Sequence, residues 1–123
     1  MSADILIVDD EADIRMLLSG ILEDEGYRVR TAHGDAEARR QVGLARPDLI
    51  FQDIWLQGST ADGIGLLEEY AQNSPNTPVV MMSGHGTIET AVRAIKQGAY
   101  DLVEKPFNTH RLLILIQRAL ANS

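Results

Sequence analysis

The chain of 123 residues is 45% hydrophobic and contains no Cys, which excludes disulfides, thiol catalysis and Cys-ligated zinc. Its length predicts one domain over residues 1–123. The apolar runs are too short to span a membrane and the first residues lack a basic segment, so we expect a cytoplasmic protein without a signal peptide. A net charge of −7 disfavours direct binding to nucleic acid by this domain.

The first part of the chain predicts two strand–helix units. Ile5–Val8 is a continuous apolar run, typical of a strand buried on both faces of a parallel sheet. The helix that follows shows apolar residues at helical spacing, and it ends at Gly26: Ile14, Leu17, Leu18, Ile21 and Leu22. Tyr27–Thr31 predicts a second strand, and Asp35 is a candidate cap for a second helix.

The rest of the chain repeats this alternation three times. Leu49–Asp53, Pro78–Met82 and Tyr100–Val103 are the predicted third, fourth and fifth strands. The third helix carries Ile64, Leu67 and Ala71, and the fourth, from about Thr87 to Gly98, shows Ile88, Ala91, Val92 and Ile95 on one face. Asn108 is a candidate cap for the last helix.

Five βα units in series predict an α/β fold. The expected architecture is (βα)5 doubly wound: a five-stranded parallel sheet with helices on both faces and right-handed crossovers, as in flavodoxin-like proteins. In such sheets the functional site forms at the carboxyl ends of the strands. The residues that follow the predicted strands are therefore the candidates for function.

Carboxylates follow two of these strands. Asp9, Asp10 and Glu11 come after the first strand, and Asp53 ends the third. Acidic side chains brought together in a crevice repel one another unless a cation neutralises them. Oxygen ligands without Cys or a suitably placed His favour a hard ion, most simply Mg²⁺ (or Mn²⁺). Capping of the next helix is the structural alternative for the acidic triplet.

A hydroxyl and an ammonium stand at the ends of two further strands. Ser83 ends the fourth strand and Lys105 follows the fifth. These groups suit a phosphate as hydrogen-bond donor and as point charge, and Asp53 is then the candidate nucleophile. Each residue alone could be an ordinary turn residue, but all of them lie at strand carboxyl ends.

Together these motifs resemble the receiver domain of bacterial two-component response regulators. The motifs, in chain order, are Val8-Asp9-Asp10-Glu11, Asp53, Ser83-Gly84 and Lys105-Pro106-Phe107. The resemblance covers essentially the whole chain. It implies a signalling domain rather than an enzyme, in which Asp53 accepts a phosphoryl group from the phosphohistidine of a sensor histidine kinase.

The resemblance also implies a role for the other motif residues. Asp10 would bind Mg²⁺ directly and Asp9 through water, and the main-chain carbonyl of Trp55 would be a further ligand. Ser83 would hydrogen-bond to the phosphoryl group and Lys105 would pair with it. The peptide bond that follows this lysine would be cis.

Three longer segments resemble the NtrX branch of the nitrogen-regulation response regulators: Asp53–Ser59, Ser83–Gly86 and Gly98–Asp101. Such proteins continue into an ATPase and a DNA-binding domain, so the chain looks like an excised or stand-alone receiver. The output implied is a transcription activator of nitrogen or redox-related genes.

The sequence departs from the common receiver pattern at two places. Gln57 replaces a Pro four residues after Asp53, and the expected Gly comes two residues late, as Gly63. Leu102 occupies the position of the usual switch aromatic, and Tyr100 lies too far back along the strand to substitute. We therefore expect Ser83-based phosphate sensing without aromatic coupling.

The last helix presents Ile114 on the side opposite to its broad apolar face. An isolated exposed apolar residue is often without consequence. The alternative is a homodimer contact through the fourth helix, fifth strand and fifth helix, a surface that this family often uses.

Three other functions remain open on the residues. A haloacid-dehalogenase-type Mg²⁺-dependent phosphatase would need a second Asp where Trp55 stands. A flavin-binding flavodoxin-like module would need a phosphate-binding first loop, which Asp9, Asp10 and Glu11 disfavour. A phosphate-independent interaction module would be expected to lack Asp53 or Lys105.

Overall fold

Five parallel strands form the centre of the computed structural model, which describes residues 2–54, 63–84 and 88–121. The strands are β1 (Asp4–Val8), β2 (Arg28–Ala32), β3 (Leu49–Asp53), β4 (Val79–Ser83) and β5 (Asp101–Glu104). The helices are α1 (Ala12–Asp24), α2 (Asp35–Leu44), α3 (Gly63–Asn73), α4 (Ile88–Lys96) and α5 (Thr109–Ala121). The strand order is β2-β1-β3-β4-β5, so the predicted doubly wound α/β fold is confirmed.

The sheet separates two apolar cores because successive side chains of a strand point to opposite faces. Ile5 and Ile7 of β1 pack in one core with α1 and α5. Leu6 and Val8 pack in the other core with α2, α3 and α4. β3 and β4 are buried along their whole length, which explains their continuous apolar sequences.

The predicted strands agree with the observed ones to within one residue at each end. Helix stops were also predicted correctly: Gly26 and Gly98 both adopt positive φ, at 90° and 108°, just beyond α1 and α4. The Asn108 cap is confirmed, since its Oδ1 accepts the main-chain N–H of Arg111 at 3.1 Å.

The predicted cap of α2 was wrong by one residue. Gly34 is the N-cap, and Asp35 is the first residue of the helix. The buried carboxylate of Asp35 instead accepts a hydrogen bond from Arg39 Nη1, one turn later, at 3.1 Å. An acidic side chain in the first turn of a helix is stabilised by the positive end of the helix dipole.

Three helices bury a different set of side chains from the one their periodicity indicates. In α1, Leu17 is exposed while Leu18 and Leu22 are buried. In α3, Ala71 is exposed and Tyr70 is buried instead. In α4, Val92 and Ile95 are about half exposed while Ala94 is completely buried. None of the described helices is long and apolar enough to cross a membrane.

The α4 exception has a physical cause in the sheet. β5 is an edge strand, so the sheet provides little surface beyond β4 for this helix to cover. The small side chain of Ala94 faces the core, where it packs with Ala99 and the apolar residues of β4. Val92 and Ile95, on the same helix, therefore remain partly exposed.

Candidate functional site

The predicted acidic cluster forms at the carboxyl edge of the sheet. Asp9 and Asp10 follow β1, and Asp53 ends β3, the strand next to it. One carboxylate oxygen from each residue lies within 4.8 Å of the others. Asp9 and Asp53 are buried and Asp10 is partly exposed. Buried carboxylates at this spacing require positive charge nearby.

Lys105, which follows the edge strand β5, provides positive charge to this cluster. Its Nζ lies 2.8 Å from Asp9 Oδ2, 3.6 Å from Asp53 Oδ2 and 3.7 Å from Glu11 Oε1. Only 12% of the lysine side chain is exposed. The side chain reaches the cluster from just beyond β5, and its bond to Pro106 is cis, as the family resemblance implied.

The environment of Lys105 raises the pKa of its ammonium. Burial alone would lower that pKa, because it disfavours the charged form. The hydrogen bond to Asp9 and the negative charges of Asp53, Asp9 and Glu11 together outweigh burial. Lys105 is therefore a permanent cation at neutral pH.

Asp9 is fixed by hydrogen bonds on three sides. Its Oδ1 accepts the main-chain N–H of Glu11 at 2.8 Å, and its Oδ2 accepts Lys105 Nζ. Its main-chain carbonyl accepts Arg15 Nη1 from the first turn of α1, also at 2.8 Å. Arg15 was not predictable as a partner of Asp9, because nothing in its position on the helix indicates a contact outside the helix. Both carboxylate oxygens of Asp9 thus already accept hydrogen bonds.

Ser83 lies beside this cluster at the end of β4. Its main-chain carbonyl accepts the N–H of Lys105 at 2.9 Å, which joins the two predicted phosphate-binding residues through the backbone. The side chain is buried, and among the described residues none forms a hydrogen bond with its Oγ. A buried hydroxyl without a partner is rare in a folded protein, and a bound water, ion or phosphoryl oxygen would satisfy this one.

Gly63, the late glycine of the sequence, lies against the backbone of Asp53 and Ile54. Its N–H donates to the carbonyl of Ile54 at 2.8 Å. A Cβ at Gly63 would lie 2.7 Å from Ile54 Cα and would overlap the carbonyl of Asp53. Only glycine permits this approach, so the first residue of α3 packs directly behind the candidate nucleophile.

The remaining predicted residues lie apart from this cluster or outside the described ranges. Trp55, predicted as a metal ligand through its carbonyl, and Gln57 both lie outside the described residues. Ile114 lies on the outer side of α5, where it is 36% exposed. It lines a surface groove between β5 and α5 together with Leu102, Arg111 and Arg118.

The chain matches the response regulator receiver domain family over residues 5–117. It belongs to that family. The receiver is 59% identical over 120 residues to the nitrogen assimilation regulatory protein NtrX of Azorhizobium caulinodans, covering 98% of this chain and 26% of the relative. This receiver therefore spans about a quarter of the length of that curated relative.

Solved structures give the same assignment for this receiver. The receiver domain of NtrX from Brucella abortus superposes with a TM-score of 0.94 at 55% identity, covering 98% of this chain and 100% of that one. The beryllofluoride-activated NtrC4 receiver domain dimer superposes with a TM-score of 0.89 at 40% identity, covering 96% of each chain. The predicted NtrX/NtrC type of receiver is confirmed.

Proposed function

We propose that this receiver takes a phosphoryl group from a sensor histidine kinase onto Asp53 in a Mg²⁺-dependent reaction. The observation that carries the proposal is that Asp53, two further aspartates and Lys105 lie together at the carboxyl edge of the sheet. Lys105 Nζ lies 3.6 Å from Asp53 Oδ2, so a phosphoryl group on Asp53 would lie beside a permanent cation. The membership of the receiver family gives independent support.

The donor atoms at this edge fit a hard divalent cation. The cluster contains four carboxylates, those of Asp9, Asp10, Glu11 and Asp53. Among the described residues, the salt bridges of this cluster involve one cation, the ammonium of Lys105, so negative charge is in excess. We propose Asp10 and Asp53 as direct ligands. Asp9 suits a contact through water, because both its oxygens already accept hydrogen bonds. The carbonyl of Trp55 is a further proposed ligand.

Bound Mg²⁺ (or Mn²⁺) would neutralise negative charge on the carboxylates and on the phosphoryl oxygens. In the proposed transfer, a carboxylate oxygen of Asp53 attacks phosphorus in line with the leaving histidine nitrogen. The new O–P bond forms as the P–N bond breaks. The electron pair of the P–N bond stays on the imidazole nitrogen, and the imidazole takes up a proton from water. Lys105 pairs with the transferred oxygens, and Ser83 Oγ donates a hydrogen bond to them.

The output that we propose is a change of self-association or conformation that controls a further domain. The longer relatives include regulators of nitrogen assimilation, so an activator of nitrogen or redox-related genes is the proposed output. A homodimer through α4, β5 and α5 is proposed because the NtrC4 receiver forms a dimer. The groove there is lined by Arg111 and Arg118 and also by Asp101 and Glu104, and charges of both signs suit a self-complementary contact.

The proposal is tested by incubating the chain with acetyl phosphate and Mg²⁺ and measuring its intact mass. We expect one phosphoryl group per chain, and no labelling when a chelator is added before the donor. Asp53→Asn should abolish labelling. Asp24→Asn, which removes an exposed carboxylate at the end of α1, is the matched control and should leave it unchanged.

Labelling that persists in Asp53→Asn would contradict the assignment of the acceptor. A folded wild-type chain that takes no label would favour a phosphate-independent interaction module. Continuous release of phosphate from phosphomonoesters would instead favour the phosphatase.

A further inference from the structure

Gln52 is an unexpected residue at its position in β3. It follows the apolar run Leu49–Phe51 and is completely buried. Its side chain shares the face of Ile50 and Ile54, which pack in the core beneath α3. A leucine or isoleucine would fill this position without burying an amide, and burial of an amide is unfavourable unless its hydrogen bonds are made.

Both ends of the Gln52 amide have specific partners. Nε2 donates to the main-chain carbonyl of Asp53 at 3.0 Å. Oε1 accepts the hydroxyl of Tyr70, on α3, at 2.7 Å. Tyr70 is also buried, and burial raises the pKa of its hydroxyl, which therefore remains a donor at any physiological pH. The amide thus connects α3 to the peptide group of the proposed phosphoacceptor.

The peptide group of Asp53 lies just beyond the point where β3 stops pairing with β1. The pairing of β1 with β3 ends at Val8 and Gln52, one residue before Asp53. On the other side the ladder continues, since the N–H of Ile54 donates to Met82 on β4 at 3.0 Å. Backbone groups of successive strand residues point to opposite neighbours. The carbonyl of Asp53 is therefore directed to the side where pairing has ended, and Gln52 bonds to it there.

The helix that carries Tyr70 is itself held in place. The preceding residue, Glu69, accepts two hydrogen bonds from Arg39 of α2, at 2.8 and 2.9 Å. At the start of the helix, Gly63 donates to Ile54. The Tyr70 hydroxyl is consequently presented to Gln52 from a fixed direction.

We propose that Gln52, oriented by Tyr70, is a positioning residue that fixes the peptide group of Asp53 for phosphoryl transfer. The inference rests on the proposed function in one respect only, the role of Asp53 as acceptor. Catalysis of this transfer depends mainly on the placement of the acceptor oxygen relative to phosphorus. An amide that restrains the acceptor's own carbonyl acts on that placement, whereas an apolar side chain would only fill space.

The decisive variant is the double substitution Gln52→Leu with Tyr70→Phe. It removes both hydrogen bonds together and leaves no unpaired polar side chain from this pair in the core. We expect it to unfold in urea near the wild-type midpoint, to show a shifted ¹³C resonance for the Asp53 carbonyl, and to be labelled by acetyl phosphate about tenfold more slowly at saturating Mg²⁺. Met81→Leu, a buried apolar substitution on neighbouring β4, is the control and should change neither the resonance nor the rate.

A double variant with a wild-type labelling rate would overturn the inference even if the Asp53 carbonyl resonance shifts, since a purely structural pair predicts an unchanged rate. If the double variant does not fold, Tyr70→Phe alone must still shift the Asp53 resonance, and no shift there would overturn it equally. A wild-type chain that takes no label would contradict the proposed function, and the resonance would still decide whether Gln52 restrains Asp53.

Discussion

At the scale of single residues, the ion pair between Asp9 and Lys105 is the main interaction within the acidic cluster. The aspartate is completely buried and the two groups lie 2.8 Å apart. Removing one member of a buried pair leaves the other uncompensated, which is more costly than the pair is worth as a whole. Lys105 therefore stabilises the fold, while its charge opposes the binding of a cation by the same carboxylates.

These two effects predict opposite changes in Lys105→Met. In the presence of a chelator the variant should lose about 3 kcal/mol of unfolding free energy, because Asp9 and Asp53 remain buried without their cation. Mg²⁺ should restore more stability to the variant than to the wild type, and bind to it about tenfold more tightly, because the repulsion is gone. Urea unfolding and calorimetric titration measure the two quantities.

Lys96→Met, which removes an exposed lysine at the end of α4, is the control and should change neither quantity. Weaker Mg²⁺ binding in Lys105→Met than in the wild type would show that the ion and the ammonium do not share these carboxylates.

The pH dependence of this stabilisation follows from the raised pKa of Lys105. The ordinary value is 10.5 and the folded value lies above it. The contribution of the pair is therefore fully present below about pH 10.5 and is lost as the pH rises through the folded pKa. We expect the difference in unfolding free energy between wild type and Lys105→Met to stay constant from about pH 6 to 9 in chelator. A difference that falls steadily over that range would contradict this assignment.

The residues of the pocket were largely predictable from the sequence, because their position depends on topology. Asp53 and Lys105 are far apart in the chain but follow parallel strands, and parallel strands present their carboxyl ends at one edge. The hydrogen bonds of Arg15 and Gln52 were not predictable, since they depend on side-chain directions that no spacing rule gives. The polar Gln52 within an apolar strand was the available signal for the second of these.

At the scale of elements, the approach of α3 to β3 depends on Gly63. Three backbone atoms, the carbonyl carbon and oxygen of Asp53 and the Cα of Ile54, would lie within 3.0 Å of an added Cβ, and none can move aside as a flexible side chain could. The start of α3 and the end of β3 thus behave as one packed unit. A side chain at this position must displace the helix or the strand that carries the proposed acceptor.

Gly63→Ala should therefore destabilise the protein by about 2–3 kcal/mol, as overpacking of a buried contact typically does. Gly20→Ala, at an exposed position of α1, is the matched control, since nothing lies within 4 Å of its added Cβ. That substitution should stabilise the protein by about 0.5–1 kcal/mol through helix propensity. Urea denaturation of both variants measures these changes in unfolding free energy. If both substitutions change it equally, α3 can move away from β3 without loss of stability.

The strands were predicted more accurately than the buried faces of the helices, for a physical reason. A strand buried on both sides is a continuous apolar run and needs no orientation. Helical periodicity identifies an apolar face but not which part of it the sheet covers. Val92 and Ile95 of α4 remain about half exposed because β5 is the sheet edge, and the sequence does not contain that geometry.

At the scale of the whole molecule, one group of exposed apolar side chains lies where the sheet ends, on α4, just before β5 and on α5. The other exposed apolar side chains among the described residues lie on α1 and α2: Met16, Leu17 and Leu44. Val92 and Ile95 of α4, Tyr100 before β5 and Ile114 of α5 are all at least one-third exposed. Charges of both signs surround Ile114 in the groove between β5 and α5. Apolar residues with a mixed charged rim are typical of a protein–protein contact, which suits the dimer proposed for this face.

Ile114→Asp provides the test of that dimer. We expect the phosphorylated wild-type chain to dimerise in sedimentation velocity, and the variant to do so with about a tenfold higher dissociation constant, because a carboxylate would enter a contact that excludes water. Met16→Asp is the matched control: Met16 is 74% exposed on α1, which packs on the core with α5 but presents a different surface. The control should dimerise like the wild type. If wild type and Ile114→Asp dimerise equally, Ile114 is not part of the contact. If both substitutions weaken dimerisation to the same extent, the cause is the added negative charge on a chain that already carries −7.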